Sequence, residues 1–109
     1  MKTIYVAEDG KQFEDMDDCL EYEFQKNTLD MLPSSSISFY DKDENKMPYP
    51  KNYEDVEKIY CYSFHISIGN EKDAPLLTEI NSYYGFFFPD KIGEWHFDEK
   101  TLYWIKNGN

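Results

Sequence analysis

The run of alternating side chains over residues 59–68 constrains the fold more than any other feature of the sequence. Apolar side chains recur at every second position, ending with Phe64, Ile66 and Ile68, and most positions between them are small or polar. Side chains of a β-strand point alternately to the two faces of a sheet. The run therefore predicts a central strand with one fully apolar face.

The N-terminal region predicts a hairpin followed by a helix. The pair Asp9-Gly10 favours a two-residue type I′ turn, which sets Val6 opposite Phe13. Ile4, Val6 and Phe13 then share the face that covers the helix. We expect this helix over residues 15–31. Four residues at helical spacing form its apolar arc: Met16, Leu20, Phe24 and Met31.

The rest of the chain predicts alternating strands and helices. The expected segments are a strand at Ile37–Tyr40, a loop over 41–53, a helical turn over 54–58, a helix at Ala74–Tyr84, a strand over 86–88 and a hairpin over 94–105. Asp73 is expected to cap the second helix, and Gly85 to follow its last residue. This order predicts a single α+β domain over residues 1–109, with a mostly antiparallel sheet and two helices packed on one face.

The charge of the chain restricts its partners. It carries 22 acidic residues against 11 lysines and no arginine, a net charge of −11, while aromatic residues at 18% are sufficient for a folded core. This charge disfavours direct binding to nucleic acid or to an anionic membrane, and the lack of arginine argues against a phosphoryl-transfer site. No apolar stretch approaches a membrane span and no signal-like region is visible, so we expect a cytoplasmic protein.

One segment partly matches a calcium-binding loop. Asp41, Asp43 and Asn45 alternate as in the first half of such a loop, but Lys46 stands where glycine is needed and Asn52 where a bidentate glutamate is needed. A solvated acidic turn is therefore the expected structure.

The histidines and cysteines mark no arranged site. On one predicted strand Cys61 and His65 lie about 13 Å apart, too far to share a zinc ion. His65 and His96 are expected to be half-exposed sheet residues without a marked partner, and Cys19 a small packed residue. We therefore expect no catalytic residue, no metal site and no cofactor, and hence no enzyme.

The most unusual local feature of the sequence is a concentration of acidic residues near its N-terminus. Residues 8–23 contain eight carboxylates and the single lysine Lys11, a net charge of −7. A helix dipole favours carboxylates in its first turn, by about 0.3–1 kcal/mol each, but Glu21 and Glu23 lie further in, and Asp17 and Glu21 repel each other. Such a surface is either simply solubilising or reserved for a cationic partner.

Residues 5–23 resemble a known class of protein. A Tyr-x-x-x-Asp-Gly hairpin, here Tyr5 to Gly10, followed by an acidic helix is similar to small, acidic, arginine-poor proteins encoded by phages and prophages of AT-rich Gram-positive bacteria. The resemblance implies a host-takeover or anti-defence role, such as that of an anti-CRISPR protein that occupies the DNA-binding surface of a nuclease. No binding residue is carried over from that class.

The sequence favours two functions over a third, an enzyme that would use His65 or His96 with nearby acidic residues but for which no arranged site is visible. The first is a non-enzymatic inhibitor that mimics DNA and binds the basic nucleic-acid-binding groove of a host defence nuclease, such as a CRISPR effector. Its candidate partner-binding residues are Glu14, Asp17, Asp18, Glu21, Tyr22, Asp41, Asp43 and Glu44. The second is an accessory or assembly module that binds another protein or itself through sheet edges and aromatic surface, with the acidity serving solubility.

Overall fold

The computed structural model describes residues 3–107, which form two antiparallel sheets and three α-helices. In chain order the elements are β1 Tyr5–Val6, β2 Gln12–Phe13, α1 Met16–Asn27, a 3₁₀ helix Leu29–Ser34, β3 Ile37–Tyr40, α2 Tyr53–Tyr62, β4 His65–Ile68, α3 Ala74–Tyr84, β5 Gly93–Asp98 and β6 Tyr103–Lys106. The predicted α+β class with antiparallel strands is confirmed. There are three helices where two helices and one helical turn were predicted, because α2 extends the helical turn predicted over 54–58 into the first half of the predicted central strand.

The larger sheet has the order β3-β4-β5-β6, so β4 is a central strand as predicted. Phe39 lies opposite Ile66, and Ile66 lies opposite Trp95. Because residues that face each other across paired strands share one face of the sheet, these side chains form its apolar face. The same core includes residues of all three helices, among them Phe24, Val56, Ile59, Leu77 and Ile80.

The N-terminal hairpin has a register one residue away from the predicted one. Val6 faces Gln12 instead of Phe13. Because side chains alternate along a strand, this slip exchanges the two faces of β1. Val6 and Ile4 are therefore exposed, at 58% and 50%, whereas Ala7 is buried. The prediction that Ile4, Val6 and Phe13 share one face was wrong, although the ring of Phe13 does pack against Tyr22 of α1.

The turn of the hairpin explains the slip. The backbone N–H of Ala7 donates to Lys11 O at 2.9 Å, which leaves residues 8–10 as a three-residue loop. Gly10 has a φ of 91°, in the left-handed region. Three-residue hairpin loops characteristically end in such a residue, which forms a bulge. Asp9 and Gly10 lie in the turn as predicted, but the loop is one residue longer than expected.

Helix α1 is shorter than predicted and buries other residues. It ends at Asn27, and the 3₁₀ helix follows. Cys19 and Phe24 are buried, whereas Met16, Leu20 and Met31 are about half exposed, so the predicted arc was right for Phe24 alone. The physical reason is that α1 is covered from two directions, by the hairpin and by the aromatic rings of α3 that pack on Phe24.

The predicted strand over residues 59–68 is helical in its first half. Asn52 caps α2 by accepting a hydrogen bond from the N–H of Asp55 at 2.9 Å, and Val56 and Ile59 are buried at helical spacing. Residues 59–62 thus fit a helix as well as a strand. In a short apolar run, hydrophobic periodicity alone does not distinguish these two structures. The strand prediction is confirmed for β4, where Ile66 and Ile68 are buried.

Helix α3 has the predicted bounds, and Gly85 follows it at a φ of 79°. Asp73 precedes it, but its carboxylate makes no cap bond and instead accepts hydrogen bonds from the N–H and hydroxyl of Ser36, at 2.8 and 2.7 Å. This contact joins the start of α3 to the start of β3.

The segment predicted as a strand over residues 86–88 has no strand structure. The side-chain amide of Asn81 donates to Phe88 O and accepts from Phe88 N–H. This side chain therefore satisfies the two backbone groups that a neighbouring strand would otherwise bind. The C-terminal hairpin is confirmed, with Asp98 paired to Tyr103 and residues 99–102 forming its loop.

Candidate functional site

The hairpin and the start of α1 carry a series of exposed carboxylates, which we call the acidic surface. Its members are Glu8, Asp9, Glu14, Asp15, Asp17 and Asp18. Asp15 caps α1 by accepting from the N–H of Asp17 at 2.7 Å. Among residues 3–107, one lysine forms an ion pair with a carboxylate, namely Lys26 with Asp30. Neither Asp17 nor Asp18 takes part in this pair. The described lysines therefore leave these two carboxylates unneutralised.

Tyr22 joins the acidic surface to the body of α1. Its hydroxyl donates to the carboxylate of Asp9, and its ring lies 5.2 Å from that of Phe13. The hydrogen bond lowers the pKa of Asp9 and raises the pKa of Tyr22. The ammonium of Lys11 lies 4.6 Å from the centroid of the Tyr22 ring, a cation–π contact. Tyr22 thus holds the hairpin against α1 and is only partly available to a partner.

Glu21 lies one turn after Asp17 on α1, at the contact between α1 and α3. Its carboxylate accepts a 2.7 Å hydrogen bond from the hydroxyl of Tyr84. Burial and this hydrogen bond raise the pKa of Tyr84 well above its usual range. Glu21 therefore joins two helices of this chain.

The remaining candidates, Asp41, Asp43 and Glu44, lie in the loop after β3. Asp41 accepts from the backbone N–H groups of Asp43 and Asn45, each at 2.9 Å, so its carboxylate stabilises the turn that the sequence predicted. The side chain of Asp43 is exposed. Glu44 adopts a φ of 63°, unusual for a residue other than glycine, and its carboxylate reaches the larger sheet.

Glu44 meets both histidines of the chain, in a group that we call the histidine cluster: Glu44, His65, Glu94 and His96. His65 Nδ1 lies 2.9 Å from Glu44 Oε2, and His96 Nε2 lies 3.8 Å from Glu44 Oε1. On the other side of the ring, His65 Nε2 lies 3.3 Å from Glu94 Oε1. The Glu44 carboxylate thus contacts one nitrogen of each imidazole, and the Glu94 carboxylate contacts the other nitrogen of His65.

The strand register produces this cluster. His65 of β4 faces His96 of β5, and their rings stack at 4.4 Å with an interplanar angle of 13°. In the next pair along the two strands, Phe97 N–H donates to Phe64 O. Hydrogen-bonded and non-hydrogen-bonded pairs alternate in an antiparallel sheet, so His65 and His96 form a non-hydrogen-bonded pair. Facing side chains are closest in pairs of this kind. Tyr40 stacks on His65 at 4.9 Å.

Sequence reasoning missed the histidine cluster because it considered each histidine alone. The prediction that placed Cys61 and His65 on one strand was wrong, since Cys61 lies on α2. The signal that was available is alternation: His65 precedes the inward Ile66 and His96 follows the inward Trp95, so both imidazoles point to the opposite face of the sheet. Pairing of the two strands would then have suggested their contact.

A groove of about 520 Å³ beside the C-terminal hairpin is lined by aromatic residues. At its rim Phe87 and Tyr103 are 78% and 73% exposed, and Leu102 is similarly exposed. Strand β6 is an edge of the larger sheet. We call this region the aromatic groove.

Comparison of the chain with protein-family models, curated proteins and solved structures finds no match. Within residues 3–107, none of the helices has the length and apolar character needed to cross a bilayer.

Proposed function

We propose that this chain is a small acidic, phage-type inhibitor that binds the basic nucleic-acid-binding groove of a host defence nuclease, such as a CRISPR effector, in the host cytoplasm. It inhibits the nuclease by occupying this groove and catalyses no reaction. The observation that supports this proposal is the acidic surface, where exposed carboxylates such as Asp17 and Asp18 have no ion pair with a described lysine, within a segment of net charge −7.

The physical argument is competition with phosphate. A nuclease groove binds DNA mainly through lysine and arginine contacts that release counterions. Carboxylates clustered on a hairpin and one helical turn present a comparable negative potential to the same cations, and charge complementarity of this kind accelerates association. Because Asp9 is bonded to Tyr22 and Asp15 caps α1, part of this charge is held in place before binding.

The test is inhibition of DNA cleavage by a panel of purified CRISPR nucleases from Gram-positive bacteria. The double variant Asp17→Lys and Asp18→Lys is compared with a matched control, Glu71→Lys and Glu99→Lys, which changes the net charge equally at exposed sites elsewhere. We expect the wild type and the control to inhibit, with weaker inhibition as salt rises, and the Asp17/Asp18 variant to lose inhibition. Absence of inhibition across the panel, or equal inhibition by both variants, contradicts the proposal.

The aromatic groove favours a second candidate function, an accessory or assembly module. Edge strands offer unpaired backbone groups to another chain, and aromatic residues are enriched at protein interfaces. This function predicts self-association or partner binding that persists at high salt. Sedimentation of the wild type and of the variant Phe87→Ser with Tyr103→Ser tests it: a dimer that tolerates salt and disappears in the variant supports an assembly module, whereas a monomer in all conditions argues against self-assembly.

A further inference from the structure

We propose that Glu44, His65 and His96 bind a divalent transition metal ion, and that Zn²⁺ is the ion that fits best. One ligand atom from each residue already lies within 4.8 Å of the other two. This inference is independent of the proposed inhibitor function, because the three residues lie on the larger sheet and its adjoining loop, not on the acidic surface.

The donor set matches this class of ion. Two imidazole nitrogens and one carboxylate oxygen form a His₂Glu set, which zinc binds in sites that keep a fourth position for water. Imidazole favours zinc, copper, nickel and iron over magnesium or calcium, which prefer all-oxygen sites. Glu44 and Glu94 supply two negative charges that offset the charge of the ion.

The geometry needs a small rearrangement. Zinc ligand distances of about 2.0–2.2 Å place tetrahedral donor atoms about 3.3–3.6 Å apart. Glu44 Oε2 lies 2.9 Å from His65 Nδ1 and Glu44 Oε1 lies 3.8 Å from His96 Nε2, so the first separation must lengthen slightly and the second must shorten. The stacked rings must tilt for both nitrogens to point at one ion. Nδ1 of His96 has no hydrogen-bond partner among the described residues, so rotation of this ring breaks no hydrogen bond there.

Glu94 stands where an outer-shell carboxylate is expected. A histidine that binds a metal commonly donates its other ring N–H to a carboxylate, which fixes its tautomer and orientation. His65 Nε2 lies 3.3 Å from Glu94, which leaves Nδ1 as the nitrogen that faces Glu44. We therefore assign Nδ1 of His65 and Nε2 of His96 as the ligating atoms, with Glu94 as a positioning residue.

The competing explanation is a purely ionic cluster, in which a protonated His65 bridges two carboxylates. Both explanations account for the same distances, and they differ in what they predict for added metal. A protonated imidazole does not ligate, so an ionic cluster has no specific affinity for Zn²⁺, and metal would associate only with dispersed surface carboxylates.

The test is titration of the full chain with zinc chloride at mildly alkaline pH, followed by calorimetry and by NMR of the imidazole nitrogens. The chain has two histidines, so each signal is assigned by one substitution. We expect saturable binding of one ion per chain, with changes at His65 Nδ1 and His96 Nε2. Glu94→Gln should weaken binding about 10–100-fold, and Glu44→Gln, which removes a direct ligand, should weaken it further.

The control is Glu99→Gln, which removes the same charge from an exposed turn outside the cluster and should bind like the wild type. Glu44 is 57% exposed in its side chain, so its variant tests binding without disturbing the core. The proposal is overturned if zinc leaves both imidazole signals unchanged, if Glu44→Gln binds as tightly as Glu99→Gln, or if a folded His65→Gln/His96→Gln variant retains the site. Equal affinity of Glu94→Gln and wild type overturns the positioning role of Glu94.

Discussion

The hydroxyl of Tyr84 on α3 donates a 2.7 Å hydrogen bond to the carboxylate of Glu21 on α1. The ring of Tyr84 also packs edge-on against Phe24 of α1, at 5.1 Å. One tyrosine thus supplies both a polar and an apolar contact between two helices that are distant in sequence. Because Glu21 accepts this hydrogen bond, one carboxylate of the acidic segment 8–23 stabilises the fold and is less available to bind a partner.

Removing this hydroxyl is expected to weaken the contact between α1 and α3. In Tyr84→Phe the partly buried carboxylate of Glu21 loses the hydrogen bond from the Tyr84 hydroxyl, which should lower the free energy of unfolding by about 1–2 kcal/mol. Urea denaturation measures the change, with Tyr62→Phe as the control because Tyr62 is 65% exposed. Equal stability of the two variants would show that the Tyr84 hydroxyl contributes nothing.

The raised pKa of Tyr84 also predicts a loss of stability in alkali. The folded state holds this phenol neutral to a higher pH than the unfolded state does. Its contribution is therefore complete below pH about 10, the unfolded value, and declines as pH rises above it. Denaturation midpoints of wild type and Tyr84→Phe should converge in that range. A constant difference between them from neutral to strongly alkaline pH contradicts the assignment.

The contact between Asp73 and Ser36 predicts a loss of stability in acid. The hydroxyl and backbone N–H of Ser36 hold the pKa of Asp73 below its usual range. The stabilisation is present above the unfolded pKa of about 3.9 and is lost as pH falls through the lower folded value. Asp73→Ala should lower the free energy of unfolding by about 1 kcal/mol at neutral pH, and the difference should vanish in strong acid. A difference that is independent of pH would assign the effect to packing.

Gly85 at the end of α3 is expected to resist replacement. Its φ of 79° lies in the left-handed region, where a side chain costs about 1–2 kcal/mol, although an added Cβ would meet no atom within 4 Å. Gly85→Ala should therefore lower the free energy of unfolding by that amount, and Gly85→Asn by less, because asparagine tolerates this conformation. If alanine is no worse than asparagine, the backbone conformation is not the cause.

The two cysteines should differ in reactivity. Burial raises the pKa of the Cys19 thiol, and the nearby carboxylate of Glu23 raises it further, whereas Cys61 is exposed. Because the thiolate is the reactive form, a thiol reagent should label Cys61 first in the native protein, and both residues after denaturation. Mass spectrometry of digested protein identifies the site. Prior labelling of Cys19 would contradict the described packing of α1.

The sequence was most informative where local chemistry decides the structure. The bounds of α3 followed from its periodicity and from Gly85, and the inward positions of Ile66 and Ile68 followed from alternation. Sequence patterns failed where tertiary packing chooses between local alternatives. Residues 59–62 fit a strand or a helix equally well, and burial of Val56 and Ile59 against the sheet selects the helix.

For the candidate sites too, the sequence predicted what depends on local structure and did not predict what depends on tertiary packing. Asp17 and Asp18 are exposed at the first turn of α1, and neither belongs to the apolar arc that the sequence predicted. The engagement of Glu21 by Tyr84 was not predictable, because it depends on how two helices pack. The histidine cluster depends on a strand register and on the left-handed backbone of Glu44, neither of which the sequence specifies locally.

The amide of Asn81 that binds both backbone groups of Phe88 has a practical consequence for Phe87. Residues 86–88 are held by this backbone contact and by the rings of Phe86 and Phe88, which pack against Tyr60, while the ring of Phe87 stays 78% exposed. Position 87 thus combines a fixed main chain with a side chain that the core does not use. It is a suitable attachment point for a fluorophore or spin label that would report encounters at the C-terminal hairpin without perturbing the interior.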